Sequence, residues 1–396
     1  MTQSKRKHCS ILGALAVVFA LTAAIESVAQ AAKPFRYAAG KSGAGELRWI
    51  NELPVLTVEG SPEEIGKQIG ELAAKPAARL MKYPRQSLEH FNLGFSWGGM
   101  VQIGESMTKN FPPDHLKELE AVIQTSNVKR EAFIAANTMF DVKKFFQCST
   151  LLIEPSRSAV GGPLLGRNLD FQTLGYLHEY TLVTVYKSPG KHAFASVGFP
   201  GMVGCLSGIN DAGLSVAVLE VYSTKQNGAK RFDAGGTPYA MCFRRMLEEC
   251  ETVDEALKLL RTMKRTTMIN LAVSDKRGGG VFEITSKSVE FRKPANGVCA
   301  CTNHFRTDQL AAGKRCWRYP ILASIKNKPK VQLSDVAEKL HAVNQGKMTL
   351  QTMVFEPVAL KLHLAFGALP SSSQKMKTLE LAPLFAAKKV PAPAAQ

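Results

Sequence analysis

The sequence predicts an α+β protein, a four-layer αββα sandwich preceded by a helical segment. Three observations predict it. The stretch before Cys148 is patterned as helices, the stretch after it switches to short apolar or alternating runs, and two helices then separate those runs from a second set of strands. Strands, then helices, then strands suit two stacked antiparallel sheets with helices outside.

The chain has 396 residues and is 45% apolar, enough for a substantial core. Residues 1–31 carry Lys5, Arg6 and Lys7, then the apolar stretch Ile11 to Ile25, then Ala29-Gln30-Ala31. A basic start, an apolar middle and an A-x-A end predict a secretory signal peptide, and hence a secreted or periplasmic protein. No other segment approaches the length of a transmembrane helix, so no integral span is expected. Losing the leader removes three basic side chains and Glu26 from a formal charge of +17, so the protein stays basic. The lysines are dispersed, however, and no aromatic-interleaved basic block points to nucleic acid. Of eight cysteines, Cys9 lies in the leader; the seven that remain are too sparse for a disulfide framework.

After the leader, residues 32–147 read as a mainly helical segment. Ala32 to Gly45 reads as a linker and Leu53 to Val58 as a short strand. Ser61-Pro62-Glu63-Glu64 is a capping box with proline at the first helical position, starting a helix towards Lys82. Helical patterns follow over Gln86 to Asn110, His115 to Ser126 and Arg130 to Phe145. Residues 148–387 read as a β-rich domain. LLIEP, PLLGRNLDF, YTLVTVYK, HAFASVGF, LSGIN and LSVAVLEV come first. Thr237 to Glu249 is a helix, and Thr252 with Glu255 caps the next, to about Lys264. Strands return at INLAVSD, GGVFEITS, VEFRKP and VCACTNH, helices at Cys316 to Lys326 and Ser334 to Ala342, and strands at TLQTMVFEP and KLHLAFG. The tail 388–396, rich in Pro and Ala, is expected to be disordered.

Cys148 opens the most informative segment. Ser149 to Glu154 and Pro163 to Asp170 are both strand-like, with a turn at Ala159 to Gly162, so they should pair as a hairpin. That pairing brings a thiol, the Arg167 guanidinium and the Asp170 carboxylate together. A fixed cation favours thiolate over thiol, and thiolate is the form that attacks carbonyls. Parity imposes a condition: residues three apart face opposite sides of a regular strand, so Asp170 must lie at a strand end or a bulge to join Arg167. The alternative is a buried apolar cysteine beside a surface ion pair.

The order CST, GRNLDF, SGINDAGLSVAVLEV, TNHF resembles the isopenicillin N acyltransferase family of N-terminal-nucleophile hydrolases, and more distantly the choloylglycine hydrolase and penicillin V acylase group, over Gly60 to Pro370. The resemblance implies the same αββα fold and self-cleavage between Gln147 and Cys148. The freed α-amine would then act as general base, its ordinary pKa of about 7.7–8.0 suiting proton transfer near neutrality. It also implies that Cys148 is the nucleophile, Arg167 its electrostatic partner, Asp170 the ligand of the α-amine and Asn303 an oxyanion donor. Arg315 would be a supporting arginine, with Arg318 as the neighbouring alternative. At the place of the choloylglycine group's second oxyanion residue stands Glu220, whose charge would repel an oxyanion, leaving that role to a backbone N–H.

Other motifs have simpler readings. Asn210 to Gly213 is a turn. Cys299 and Cys301 would face one side of a strand, but nothing completes a metal site. Gly278 to Gly280 lacks the Lys-Ser/Thr of a phosphate loop, so a hairpin turn is expected and no cofactor. His304 could pair with a cysteine as in a protease, though no papain-type context surrounds Cys148. The sequence thus predicts a secreted, self-processing cysteine amidohydrolase or acyltransferase for a small acyl or amide substrate, against a non-catalytic envelope binding protein that retains the fold.

Overall fold

The computed structural model describes residues 34–142, 146–313 and 315–386; the leader and the tail lie outside the described residues. From Arg36 onward the described residues group as one compact unit. Before the hairpin come β1 (Gly40–Ser42), β2 (Gly45–Ile50) and β3 (Leu53–Glu59). The hairpin itself is β4 (Gln147–Ile153) and β5 (Leu164–Asp170). It is followed by β6 (Leu182–Lys187), β7 (Phe194–Gly198), β8 (Ser207–Asn210) and β9 (Ser215–Glu220). The later strands are β10 (Ile269–Asp275), β11 (Gly278–Ile284), β12 (Val289–Arg292) and β13 (Val298–Cys301), then β14 (Thr349–Glu356), β15 (Lys361–Phe366) and β16 (Lys377–Glu380).

Among the described residues these form two sheets. One has ten strands in the order β1-β2-β3-β6-β7-β8-β9-β10-β11-β12, and the other six in the order β13-β4-β5-β14-β15-β16. All pairings are antiparallel except β3 with β6, which is parallel. The segment before Cys148 is therefore built into the larger sheet through β1 to β3.

The helices are α1 (Pro62–Ile69), α2 (Tyr83–His90), α3 (Trp97–Thr108), α4 (Pro113–Ser126), α5 (Arg130–Val142), α6 (Tyr239–Glu249), α7 (Val253–Thr262), α8 (Arg318–Ala323), α9 (Leu333–Ala342) and α10 (Ala382–Phe385). Both capping boxes form, Ser61 with Glu64 and Thr252 with Glu255. Two helices are shorter than their patterns. The helix from Ser61 stops at Ile69 and continues as a π turn over Gly70–Ala74. Gly70 lies so close to α4 that a Cβ would come within 1.9 Å of Thr125 Oγ1. The pattern over Gln86 to Asn110 is two helices, broken where Asn92 turns left-handed at φ 56°.

The sandwich follows from strand parity. On β4 and β5, Leu151, Ile153, Leu164 and Gly166 share the face packed on α9, where Val336, Leu340 and Val343 join them in one buried cluster with Val354 of β14. The opposite face, with Cys148, Thr150 and Arg167, looks across at the larger sheet, where α6 and α7 cover the far side against β8, β9 and β10. The layers are thus helix, sheet, sheet, helix. Among the described residues no helix is long and apolar enough to cross a membrane.

Gly166 sets the approach of α9 to the smaller sheet. A Cβ there would lie 2.5 Å from Val336 Cγ1 and 3.1 Å from Leu340 Cδ1. Gly166→Val is expected to destabilise the protein by about 1–3 kcal/mol through overpacking, read as a lowered denaturation midpoint. An unchanged midpoint would mean that α9 is not packed on β5 at this point.

Candidate active site

The β4–β5 register opposes Cys148 to Leu169 and Thr150 to Arg167, so Cys148 and Arg167 are diagonal neighbours on one face. Arg167 Nη2 lies 3.6 Å from Cys148 Sγ. Its Nη1 donates to the Leu206 carbonyl and to Ser207 Oγ, each at 2.6 Å. The larger sheet thus holds the cation that the smaller sheet aims at the sulfur. Both residues are completely buried.

Asp170 has the other parity and lies at a strand end, but it meets Thr349 and Arg318 rather than Arg167. It is the last residue of β5 and faces an irregularity in β14, where the partner steps from Thr349 to Gln351. Its carboxylate accepts from Thr349 Oγ1 at 2.6 Å and lies 3.9 Å from Arg318 Nη1.

Asn303 follows the end of β13. Cys301 opposes Thr150, and continuing that register would set Asn303 against Cys148. There its side chain takes over from the ladder. Oδ1 accepts the Cys148 N–H at 2.9 Å, and Nδ2 donates to the Glu220 carbonyl at 2.9 Å and the Phe146 carbonyl at 3.3 Å. This amide therefore grips the nitrogen of the Gln147–Cys148 bond, and its NH2 rests on the carbonyl one residue before that bond.

The arginine at the site is Arg318. Its Nη1 donates to the Cys148 carbonyl at 2.6 Å and to Ser149 Oγ at 3.1 Å, and its Nη2 donates to Asn303 Oδ1 at 2.9 Å. Arg315, given the supporting role in the sequence reading, is exposed to solvent. The reason is the start of α8: Arg318 is its first residue and turns inward, while Arg315 lies on the approach to it. His304 is half-buried, its Nδ1 has no hydrogen-bond partner, and the side chain in contact with the sulfur is Arg167. Cys299 lies 3.2 Å from Arg292 Nη1.

Sequence reasoning missed the grip on Phe146. Its N–H donates to Glu220 Oε2 at 2.8 Å, and its carbonyl accepts from the Tyr222 hydroxyl as well as from Asn303. The ring of Phe146 is buried against Phe140 and Phe171, with centroid separations of 4.5 and 4.3 Å. A signal existed: Glu220 is a lone carboxylate ending the otherwise apolar run of β9.

Burial decides the electrostatics. It pushes the Cys148 thiol up to about 11, with Asp170 and Glu220 adding to the rise and Arg167 and the Asp170 backbone N–H opposing it. The Cys148 side chain is therefore a neutral thiol at neutral pH. Burial also pushes Asp170 up to about 7, against the Thr349 hydrogen bond and the charges of Arg318 and Arg167.

Comparison with known proteins bears on this arrangement. The family described as acyl-coenzyme A:6-aminopenicillanic acid acyl-transferase matches residues 158–369, a span that begins after Cys148 and includes Arg167, Asp170, Glu220, Asn303 and Arg318. No curated protein matches by sequence. Among solved structures, the chain is similar to the N-acylethanolamine-hydrolyzing acid amidase ortholog of Caenorhabditis elegans, with 17% identity, coverage of 53% of this chain and 93% of that one, and a TM-score of 0.38. It is similar to a mutant of conjugated bile acid hydrolase from Clostridium perfringens, with 15% identity, coverage of 60% and 94%, and a TM-score of 0.39. It is also similar to penicillin V acylase from Agrobacterium tumefaciens, with 14% identity, coverage of 56% and 83%, and a TM-score of 0.38.

The geometry can be tested at Arg318 and at Asp170. Arg318→Met leaves Asn303 Oδ1 and the Cys148 carbonyl without their cation, so it should lower the thermal denaturation midpoint, whereas Arg315→Met should behave as wild type. The reverse outcome would return the supporting role to Arg315. For Asp170, the folded value lies above the ordinary 3.8, so folding takes up a proton. That contribution to stability is complete below about 3.8 and is lost as pH rises through about 7. In the uncut Cys148→Ala background, adding Asp170→Asn should reduce the loss of thermal stability between pH 5 and pH 8; equal losses in both proteins would mean that Asp170 is ionised throughout.

Proposed function

Since the chain belongs to the acyl-coenzyme A:6-aminopenicillanic acid acyl-transferase family, we propose that it is an N-terminal-nucleophile enzyme that cuts itself before Cys148 and then transfers acyl groups from linear amides through that cysteine. The observation that carries the proposal is the hold on the Gln147–Cys148 bond. Asn303 binds its nitrogen, Arg167 meets the sulfur, and Glu220, Asn303 and Tyr222 fix Phe146 just upstream. A buried structural cysteine has no need of that set.

In the first step Cys148 Sγ attacks the Gln147 carbonyl carbon. The C–N bond breaks, a Gln147 thioester forms on the sulfur, and the departing nitrogen keeps its proton and gains the thiol's. Water then hydrolyses the thioester, leaving the Gln147 carboxylate and a free Cys148 with an α-amine. In turnover the amine takes the thiol proton and returns it to the leaving amine of the substrate. Water or an acceptor amine resolves the acyl-enzyme. Arg167 and Arg318 disfavour an ammonium group beside them while Asp170 and Glu220 favour one, so the balance of the four sets where the amine titrates.

Asn303 has a part in both steps. Before cleavage one hydrogen of Nδ2 is on the Phe146 carbonyl; once Phe146 is displaced, that hydrogen is free for the oxyanion of the substrate. Residues 1–31 serve in this reading as the export signal, placing the enzyme in the periplasm or outside the cell.

The test is turnover on a panel of acyl amides. Cys148→Ala should abolish both processing and activity. Asn303→Ala, assayed on its processed fraction, should lose about 10²–10³ in kcat with little change in KM, because its donor acts in the transition state. The activity of the wild-type enzyme should rise with pH as the amine loses its proton. Activity retained in Cys148→Ala would dismiss the cysteine as nucleophile, and an unchanged kcat in Asn303→Ala would place the oxyanion donor elsewhere.

A further inference from the structure

We infer that the Tyr222 hydroxyl is a catalytic oxyanion donor of the cleaved enzyme, acting together with Asn303 on the carbonyl oxygen of the substrate that Cys148 attacks. The inference rests on the proposal that Cys148 turns over acyl amides, and it gives to a side chain the role that the sequence reading left to a backbone N–H.

Two donors already converge on one oxygen. The Phe146 carbonyl accepts from Asn303 Nδ2 at 3.3 Å and from the Tyr222 hydroxyl. A carbonyl oxygen has two lone pairs, so the two donors between them satisfy it. In the proposed turnover the displacement of Phe146 frees Nδ2, and the same departure frees the phenol. Both groups are then aimed at one point, which is what a developing oxyanion requires.

The chain holds the two donors in register without help from Phe146. Val221, the residue before Tyr222, and Phe305, two residues after Asn303, belong to one buried cluster with Met268 and Leu310. Beyond Tyr222, Thr224 Oγ1 and the Lys225 N–H both donate to the Leu310 carbonyl, at 2.9 and 3.1 Å. The segment that carries the phenol is thus tied to the segment that carries the amide. Asn303 is fixed further by Arg318 Nη2 on its Oδ1.

The nearby backbone N–H groups are committed elsewhere. That of Cys148 is held by Asn303 Oδ1 and becomes the α-amine on cleavage, and that of Phe146 is held by Glu220 and departs with Phe146. The phenol, by contrast, stays and keeps its proton: burial first, then the charges of Glu220 and Cys148, push it above its ordinary range against the charge of Arg318. Tyr222 is 41% exposed, so its ring forms the rim of the site while its hydroxyl reaches the buried carbonyl.

Tyr222→Phe removes the hydroxyl alone. On the processed fraction, kcat for an acyl p-nitroanilide should fall about 10²-fold with little change in KM, because the donor acts in the transition state. A second measurement separates chemistry from structure. An acyl aldehyde takes the Cys148 sulfur on its carbonyl carbon, the thiol proton passing to the α-amine, and so presents an alkoxide to the two donors. Its binding should weaken by the same factor as kcat/KM, whereas the corresponding alcohol, which cannot add the thiol, should bind wild type and variant alike. An unchanged kcat in Tyr222→Phe, with the wild type active, overturns the assignment and leaves the amide chemistry standing. Equal weakening of aldehyde and alcohol makes Tyr222 a ground-state contact and also overturns it. If Tyr222→Phe stays uncut, a ring-fluorinated tyrosine at 222 decides, since it keeps the hydroxyl and makes it a stronger donor. A kcat that shifts at constant KM upholds the donor, and a kcat equal to wild type overturns it. A wild-type protein that cleaves no amide overturns the proposed function, and the donor with it.

Discussion

The arrangement depends on one side-chain amide standing in for a strand. Where β13 ends, the ladder to β4 would leave the Cys148 N–H buried without a backbone acceptor, and Asn303 Oδ1 supplies one at 2.9 Å. Because an amide carries both an acceptor and two donors, the same group reaches across to the Glu220 carbonyl of β9. Asn303 therefore joins the two sheets beside the Gln147–Cys148 bond. Arg318, donating to the same oxygen, fixes which way the amide faces.

The charges around that amide are buried and must balance one another. Arg167, Arg318, Asp170 and Glu220 are all nearly inaccessible to water, and a buried charge is tolerated only when it is paired and hydrogen-bonded. Arg167 donates to the Leu206 carbonyl and to Ser207 of β8, Asp170 accepts from Thr349 beside Arg318, and Glu220 holds the Phe146 N–H, while Arg167 Nε and Asp170 Oδ2 have no hydrogen-bond partner among the described residues. The result is a neutral thiol beside a fixed cation. In the proposed scheme an α-amine arises there only after cleavage, so the site would acquire its proton acceptor at the moment the bond is cut. The chain upstream of the cut is also integral to the body: β3 pairs with β6, and Phe140 of α5 packs on Phe171. Cleavage would break one bond in a structure held by many other contacts, so the two chains would stay together.

Much of this was legible in the sequence because it is local. The β4–β5 hairpin follows from two strand-like runs around a turn, and its register alone brings Cys148 to Arg167. The parity argument placed Asp170 at a strand end or a bulge if it was to join Arg167; it does end β5, but there it meets Thr349 and Arg318 instead. Both capping boxes, each a pattern of four residues, formed as read. The long-range partners were less legible. Choosing between Arg315 and Arg318 depends on how α8 begins, and an offset of three residues turns a side chain from solvent to core. The clamp of Glu220 and Tyr222 on Phe146 links positions far apart in the chain: the lone carboxylate at the end of β9 is visible locally, but not the partner it finds. The breaks at Gly70 and Asn92 likewise arise from packing and a left-handed turn within runs that are helical by periodicity.

The central claim is that the chain cuts its own Gln147–Cys148 bond. Intact-mass measurement with N-terminal sequencing of the purified protein tests it most directly. The account predicts two associated chains, the larger beginning Cys-Ser-Thr, and a single uncut chain for Cys148→Ala. A wild-type protein that remains one chain yet turns over an acyl amide would contradict it.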